Sequence, residues 1–483
     1  MSGIGGCARQ TPDATAIVWV GGAVTYAELD DRQRLLAGAL VESGLTTGDR
    51  IAVLSANRYE SLEISTGALR AGIIPVPVNP LLTRPEIEYL IEDSGARWLF
   101  TDRTVESLPD VDQVVTLGDA YERLLGEAES QELNDFARGR PMHYTSGTTG
   151  SPKGVWVDPY DDGTAATLSH DFRSLWGIHP DDVHLVCSPL GHSAPHRFAM
   201  RTLDAGGTVA LIGKFRAAEA LAAIELFGIT STFMVPTHLE RIIDLGDRGL
   251  MAHDLSSMRV LAHAGAAIRE ETKRRVIEIF PRGSVWEFYG STEGQATRIS
   301  SEEWLRKPGS VGTALPGAEV LVTDSTGRSL PAAEVGEVWV RDAKAERFEY
   351  WGDPAKTASA WRDGSFTVGD LGWLDDDGYL FLTGRIHDTI ITGGVNVYPQ
   401  EVENALLEHP SVHEAVVFGV DSEEWGQEVH AAVVAAFGQP IDSEALLDWM
   451  RERLAGFKCP RTITIVDELP RTATGKLVRK PPR

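Results

Sequence analysis

The chain has 483 residues, 42% of them hydrophobic and 24% charged, which is room for two to four globular domains with a full core. Seventy acidic against 45 basic side chains leave a formal net charge of −25. Such a field repels nucleic acid and anionic lipid and excludes both as main partners, while leaving room for a local basic pocket that takes a phosphorylated ligand. Cys7, Cys187 and Cys459 are scattered thiols without paired spacing, which fits a reducing compartment and argues against a disulfide framework or zinc site. The first ten residues have no apolar core region and no run of 18 apolar residues occurs, so the expectation is a cytoplasmic protein without a membrane span.

Residues 51–54, 72–78 and 98–100 are apolar runs of strand length, and 61–71 and 84–91 have helical spacing between them. Pro85 suits a first helical turn. This β–α rhythm predicts an α/β fold with parallel sheet covered by helices. It continues with strands at 183–187, 208–212, 232–235 and 260–262 and helices at 217–227 and 269–280. Near Gly317 the texture changes. Alternation of apolar and polar residues at 319–323 and 336–341 predicts a smaller antiparallel sheet. Beyond Gly384-Arg385 a unit of about 95 residues has helices at 400–407 and 443–454 and strands at 415–420 and 431–436, within the size of one domain. The division expected is a large domain at residues 1–386 and a small α+β domain at 387–483. The basic tail at 471–483 reads as a solvated terminus.

The stretch Tyr144-Thr145-Ser146-Gly147-Thr148-Thr149-Gly150-Ser151-Pro152-Lys153-Gly154 concentrates glycines, hydroxyls and one lysine. Glycines let successive N–H groups approach an anion, the hydroxyls donate to phosphate oxygens, and Lys153 adds charge. It is not a Walker A loop, because Pro152 stands where that pattern needs its second glycine. Composition alone fits a polar surface turn equally well. In Glu287-Phe288-Tyr289-Gly290-Ser291-Thr292-Glu293-Gly294 a strand leads into a turn with a carboxylate near its tip. Loops of that kind bind ligands at the carboxyl ends of parallel strands.

These two stretches resemble the phosphate loop and the aromatic-Gly-x-Thr-Glu motif of the acyl-adenylate-forming superfamily of acyl-CoA synthetases, adenylation domains and luciferases. The resemblance extends in family order from Thr25-Tyr26-Ala27-Glu28-Leu29 to Lys476, nearly the whole chain. It implies that Thr145, Ser146, Gly147, Thr148, Thr149, Gly150 and Lys153 hold the triphosphate of ATP. It implies that Tyr289 packs on adenine, that Thr292 contacts the α-phosphate and that Glu293 helps hold Mg²⁺, a hard cation suited to oxygen ligands. His263-Ala264-Gly265-Ala266-Ala267 matches the adenine wall, with Gly265 and Ala266 against the base. Gly369-Asp370 and Thr383-Gly384-Arg385 resemble the ribose-binding aspartate and its following arginine, implying Asp370 and Arg385 in those roles.

Ile391-Thr392-Gly393-Gly394-Val395 resembles the loop that admits the pantetheine arm of CoA, implying Gly393 and Gly394. Trp425-Gly426-Gln427-Glu428 fits the same type of enzyme. Lys476 in Pro470-Arg471-Thr472-Ala473-Thr474-Gly475-Lys476 matches the catalytic lysine, which bridges the substrate carboxylate and the α-phosphate and relieves the clash of two anions. The hinge residue, usually Asp or Lys, is His387 in this chain. A histidine changes charge near neutrality, so domain rotation is expected to respond to pH.

Pro189-Leu190-Gly191-His192-Ser193-Ala194-Pro195-His196-Arg197 matches the segment beside the acyl pocket, which implies that His192 borders the carboxylate. Gly191 stands where a bulky residue is usual, an expectation of a larger cavity. Met234-Val235-Pro236-Thr237 and His263 are expected to line it. His196 and Arg197 are expected to face outward from a helix, with contact to a second polar group on the acid as the alternative.

The activity implied is an ATP-, Mg²⁺- and CoA-dependent ligase that makes an acyl-AMP from a small carboxylic acid and passes the acyl group to CoA. Alternatives are another acceptor or acid (carrier-protein loading, amide formation, or nitrite activation as in a diazotase) and a nucleotide-binding regulator without turnover. A second copy of the chain stands as a further candidate partner.

Overall fold

The computed structural model describes residues 2–103, 111–145, 152–342, 347–436, 438–471 and 477–481. The predicted apolar runs become neighbours in two sheets. Arg50–Leu54, Ile74–Val78, Trp98–Thr101 and Gln113–Thr116 form an all-parallel four-stranded sheet. The first three strands are buried on nearly every residue, as expected for a sheet covered on both faces. A nine-stranded sheet has a parallel body of Thr15–Trp19, Thr208–Leu211, Val183–Val186, Ser231–Met234, Val260–His263 and Val285–Gly290, with antiparallel strands at both edges. The helices Ala217–Phe227 and Glu270–Ile279 fall where helical spacing put them, within a residue or so at each end.

The amino-terminal elements are additional to those read from periodicity. Helix Gly3–Gln10, the hairpin of Thr15–Trp19 and Gly22–Thr25, and helix Tyr26–Glu42 precede the first predicted strand. Thr25 and Glu28 form a capping box at the start of the last helix, Glu28 accepting from Thr25 N at 2.8 Å. Ala318–Thr323 pairs antiparallel with Gly336–Asp342 in the smaller sheet, as alternation predicted. Lys153–Trp156 pairs on one side with Tyr144–Thr145 and on the other with Glu349–Tyr350, stitching the glycine-threonine stretch to a segment almost 200 residues later.

The carboxyl-terminal unit has a core of its own, in which Val402, Leu406, Val417, Val433, Leu446 and Met450 are buried together. Its strands Val412–Ser422 and Gly426–Ala435 pair over their full length. The basic tail is not simply solvated: Arg479 donates to both carboxylate oxygens of Glu403 at 3.1 and 2.9 Å and to Asp388 at 2.9 Å. Charge complementarity to buried Glu403 and half-buried Asp388 overrides the solvation expected of a terminus. Among the described residues no helix is long and apolar enough to cross a membrane.

Burial holds His184, His196 and His238 neutral, each pulled down to about 4. An unfolded histidine takes up a proton below pH 6.5 that the folded one refuses until about pH 4. Their stabilising contribution is therefore complete above pH 6.5 and is lost as pH falls from 6.5 toward 4. Calorimetry across that window is expected to show the unfolding temperature falling steadily, with single His→Gln variants flattening the slope.

Candidate active site

Four parallel strands of the large sheet end along one edge, and the motif residues sit on the turns that follow. Val183–Val186 leads to the segment ending at His192, and Ser231–Met234 leads to Val235-Pro236-Thr237. Val260–His263 ends at Gly265, whose φ of +94° only glycine adopts freely, so that exposed Gly265 and Ala266 present bare backbone. Val285–Gly290 turns back into Gln295–Ser300, with Ser291 N donating to Gly294 O at 2.7 Å, which places Thr292 and Glu293 at a hairpin tip. A Cβ on Gly294 would stand 2.5 Å from the Phe366 ring, so the tip packs tightly on the smaller sheet.

From that smaller sheet come Asp370 and Arg385, opposite each other on antiparallel strands. Arg385 Nε donates to Asp370 Oδ1 at 2.9 Å and Tyr289 Oη donates to Oδ2 at 2.6 Å. Burial, and then the Asp370 carboxylate, push the Tyr289 phenol well above its usual range, so it remains a donor. Residues 289, 370 and 385, far apart in sequence, thus form one network. Glu293 is buried, and its Oε1 accepts from Tyr350 Oη at 2.8 Å. Arg140 Nη1 donates to the Glu293 carbonyl at 3.4 Å. Lys153 lies 3.8 Å from Asp353 and Thr145 pairs with it across the hairpin. Tyr350, Arg140 and Asp353 are absent from the motif reading. Tyr350 and Asp353 reach the site through the pairing of Glu349–Tyr350 with Lys153–Trp156, for which the sequence carries no local signal.

Ser146, Gly147, Thr148, Thr149 and Gly150, together with Lys476, lie outside the described residues. Gly393 and Gly394 form the two-residue turn between Ile390–Thr392 and Val395–Val397, with φ of +55° and +78°. Gly393 N donates to Trp425 O at 2.8 Å, tying the loop to the second predicted motif of this unit. His387 sits in an exposed single turn of 3-10 helix, Ile386–Asp388, between the two predicted domains.

Expectations for the acid pocket change in three respects. His196 is not outward-facing: it is 1% exposed, its ring 5.9 Å from that of His143, and Arg197 is half-buried beside it. The phase of a helix relative to its neighbours decides this, and sequence spacing alone leaves it open. His263 is fully buried with Nε2 4.0 Å from Glu287, which is itself in close contact with Lys273, so its surroundings are a buried ion pair. At Gly191 a Cβ would sit 3.5 Å from the Asn79 backbone, so the missing side chain is backed by packed chain. Below the segment, Phe172, Trp176, Phe198, Phe233 and Phe288 pack into an aromatic core cluster with ring centroids 5.1 to 6.4 Å apart.

A carboxylate at a hairpin tip with one oxygen held by a phenol suits Mg²⁺, which uses one or two carboxylates and completes its shell with phosphate oxygens and water. No set of three or more His, Cys, Asp or Glu side chains able to hold a metal occurs among the described residues. The chemistry of the site therefore fits a phosphate-bearing nucleotide with its magnesium.

The comparisons with known proteins agree with this fold. Residues 6–347 match the AMP-binding enzyme family and residues 401–476 match the AMP-binding enzyme C-terminal domain. The chain is 35% identical to feruloyl-CoA synthase of Amycolatopsis sp, covering 98% of this chain and 96% of the relative. It is 34% identical to fatty acid–[acyl-carrier-protein] ligase ScoC of Streptomyces coeruleorubidus, covering 98% and 93%. The structure superposes on o-succinylbenzoate CoA synthetase (MenE) from Bacillus subtilis, solved with its acyl-adenylate intermediate OSB-AMP, with a TM-score of 0.87 at 29% identity over 99% and 97% of the two chains. The same synthetase solved with ATP and magnesium ion gives a TM-score of 0.86. Matched by the family model over residues 6–347 and by relatives 34–35% identical over 98% of its length, the chain belongs to the AMP-binding enzyme family.

Proposed function

We propose that the protein is an acid–CoA ligase that uses ATP and Mg²⁺. A carboxylate oxygen of the acid attacks the α-phosphorus, pyrophosphate leaves, and the CoA thiol then displaces AMP from the acyl carbon. The observation that carries this reading is the convergence of Tyr289, Asp370 and Arg385 on one network beside Glu293, with a glycine turn of the pantetheine-loop type in the small unit.

Asp370 would hold the ribose hydroxyls, with Arg385 and Tyr289 fixing its orientation. Gly265 and Ala266 would lie against adenine. Lys153, Thr145 and the loop through Gly150 would hold the phosphates. Glu293 and Thr292 would meet the metal and the α-phosphate, and His192 the carboxylate. Bound magnesium would supply charge neutralisation at the phosphates. Residues 1–386 would bind both substrates, and residues 387–483 would turn about Ile386–Asp388 to bring first Lys476 and then Gly393–Gly394 to the reacting atoms. Domain closure would keep water from the mixed anhydride.

The test is pyrophosphate release across a broad carboxylic-acid library, with and without CoA. Release followed by CoA thioester is expected; silence on every acid would favour a regulator. A carrier protein is the second acceptor reading, favoured by the relative that acts on one. Competition between CoA and a phosphopantetheinylated carrier protein separates the two.

Tyr350→Phe removes the hydroxyl that orients Glu293. Outer-shell partners of metal ligands typically contribute ~10–100-fold in affinity or activity. The Mg²⁺ concentration for half-maximal pyrophosphate release is expected to rise roughly tenfold, with the KM for the acid unchanged. Gly394→Val forces a β-branched residue to a φ of +78° at the loop tip. The thioester step is expected to slow roughly tenfold, as misplaced binding groups do, while adenylate formation stays near wild type. Rapid-quench measurement of the two half-reactions checks this.

A further inference from the structure

The first turns of helix Ser193–Ala205 carry groups that the reaction outlined above does not use. His196 is 1% exposed and neither ring nitrogen has a partner among the described residues. His143, 4% exposed, sits two residues before the phosphate loop's leading strand ends, and its Nε2 also has none. Their rings meet edge to face at 5.9 Å. Arg197 is half-buried beside them and makes no ion pair or hydrogen bond among the described residues. The charged groups that act on it are the guanidinium groups of Arg140 and Arg201, both of its own sign. Arg201 Nη1 donates to Asp204 at 2.8 Å, while Arg140 reaches the Glu293 loop.

A buried donor left without an acceptor costs free energy, and an arginine among like charges costs more. Folded proteins keep such arrangements where a ligand completes them. The cluster is one helical turn from His192, since His196 N donates to His192 O at 3.3 Å. Ala194 and Phe198 of the same helix join the buried aromatic cluster. Arg197 follows His192 by five residues, about 7.5 Å along the helix at 1.5 Å per residue, within the span of a compact acid whose carboxyl lies at His192. Burial keeps His196 neutral at pH 7, so its imidazole acts as a hydrogen-bond donor and acceptor beside the Arg197 guanidinium.

Resting on the ligase reading above, we propose that Arg197, His196 and His143 form a second anion subsite in the acid pocket, and that the acid carries a further oxyanion besides the carboxyl that is activated. A planar guanidinium matches a second carboxylate or a sulfonate bidentately, and the two imidazoles complete its shell. The substrate class is a compact acid with an apolar body and two anionic ends.

The test uses the full chain and matched probe pairs: benzoate with phthalate and terephthalate, butanoate with butanedioate, and phenylacetate with 4-carboxyphenylacetate. Pyrophosphate release by wild type is expected to favour the doubly anionic member of at least one pair by tenfold or more in kcat/KM. Arg197→Gln is expected to erase that preference by raising KM for the diacid, Arg197→Lys to restore part of it, and the KM for ATP to stay within twofold. Circular dichroism and unfolding temperature establish that each variant is folded; if Arg197→Gln is not, His196→Phe is read in its place and is expected to weaken the same preference. Equal losses on both members of each pair, or a raised KM for ATP with the acid preference intact, would overturn the subsite. A wild type active only on singly charged acids would overturn it too, leaving the ligase reading standing. A wild type that releases no pyrophosphate with any acid would overturn that reading and this one with it.

Discussion

Lys476→Ala is expected to lower adenylate formation by about 10²–10³-fold while leaving thioester formation from supplied acyl-AMP within a few-fold of wild type. Removing one preorganised group that stabilises developing transition-state charge typically costs that much. The first half-reaction joins two anions, and a single ammonium placed between carboxylate and phosphate lowers the barrier without moving otherwise. The second half-reaction starts from a neutral acyl carbon and a thiol, so the same cation has little to neutralise. The ends of the lysine segment are well held. Arg471 and Leu477 bridge across it, Arg471 donates to Glu414 at 2.6 Å, and Leu477 packs against the buried cluster of Val416, Phe418, Ala432 and Leu469. That edge of the small unit meets the large one: Arg269 donates to the His413 carbonyl at 3.4 Å, and the charges around half-buried Glu240 include Arg269, Glu414, His413 and Arg471. Helix Pro236–Ile243, which carries Glu240, begins directly after the strand that ends at the acid pocket. Lys476→Arg is expected to rescue poorly, because a rigid planar fork does not replace a compact point charge. Equal losses in both half-reactions, measured by quenched flow, would contradict a two-pose enzyme.

What the sequence disclosed depended on whether the signal was local. The buried strands at 51–54 and 98–100 are apolar runs whose meaning does not depend on distant partners, and the structure has them at those places. The Gly393-Gly394 pair was read only through the resemblance, as a loop admitting pantetheine; the two-residue turn with two positive φ angles is what the structure adds. Asp370 and Arg385 were readable only through the resemblance; nothing in an Asp after a Gly distinguishes a ligand from a turn. Tyr350 was not readable at all. Its place at Glu293 comes from antiparallel pairing with Val155, a contact across 195 positions that no window of sequence contains. The inward turn of His196 was lost for a related reason. Spacing says which residues share a helix face, but not which face the neighbouring chain will cover, and His143, just before strand Tyr144–Thr145, settles it.

Asp370→Asn is expected to reduce kcat/KM for ATP by roughly 30- to 150-fold while the fold survives, and the hydrogen-bond inventory explains why. Asp370 spends one lone pair on Arg385 Nε through Oδ1 and one on Tyr289 Oη through Oδ2, leaving one on each oxygen for the ribose hydroxyls. Arg385 can only donate, so an asparagine must turn its carbonyl oxygen to Arg385 and its amide to Tyr289, whose hydroxyl can rotate and accept. The amide then offers ribose a donor where two charge-assisted acceptors stood. Losing about 2–3 kcal/mol of such bonding gives the stated fold-change. Asp370→Ala is expected to add a stability loss of about 1–2 kcal/mol, held to that by the 36% exposure of the Arg385 side chain, which lets water take the freed guanidinium. Tyr289→Phe keeps the ring that is proposed to pack on adenine and removes only a bond between protein groups, so its effect on ATP is expected below tenfold. That ordering, Asp370→Ala and Asp370→Asn severe and Tyr289→Phe mild, distinguishes a ribose ligand from a structural aspartate. A structural aspartate would make Asp370→Asn mild and leave ATP binding, measured by calorimetry, as tight as in wild type.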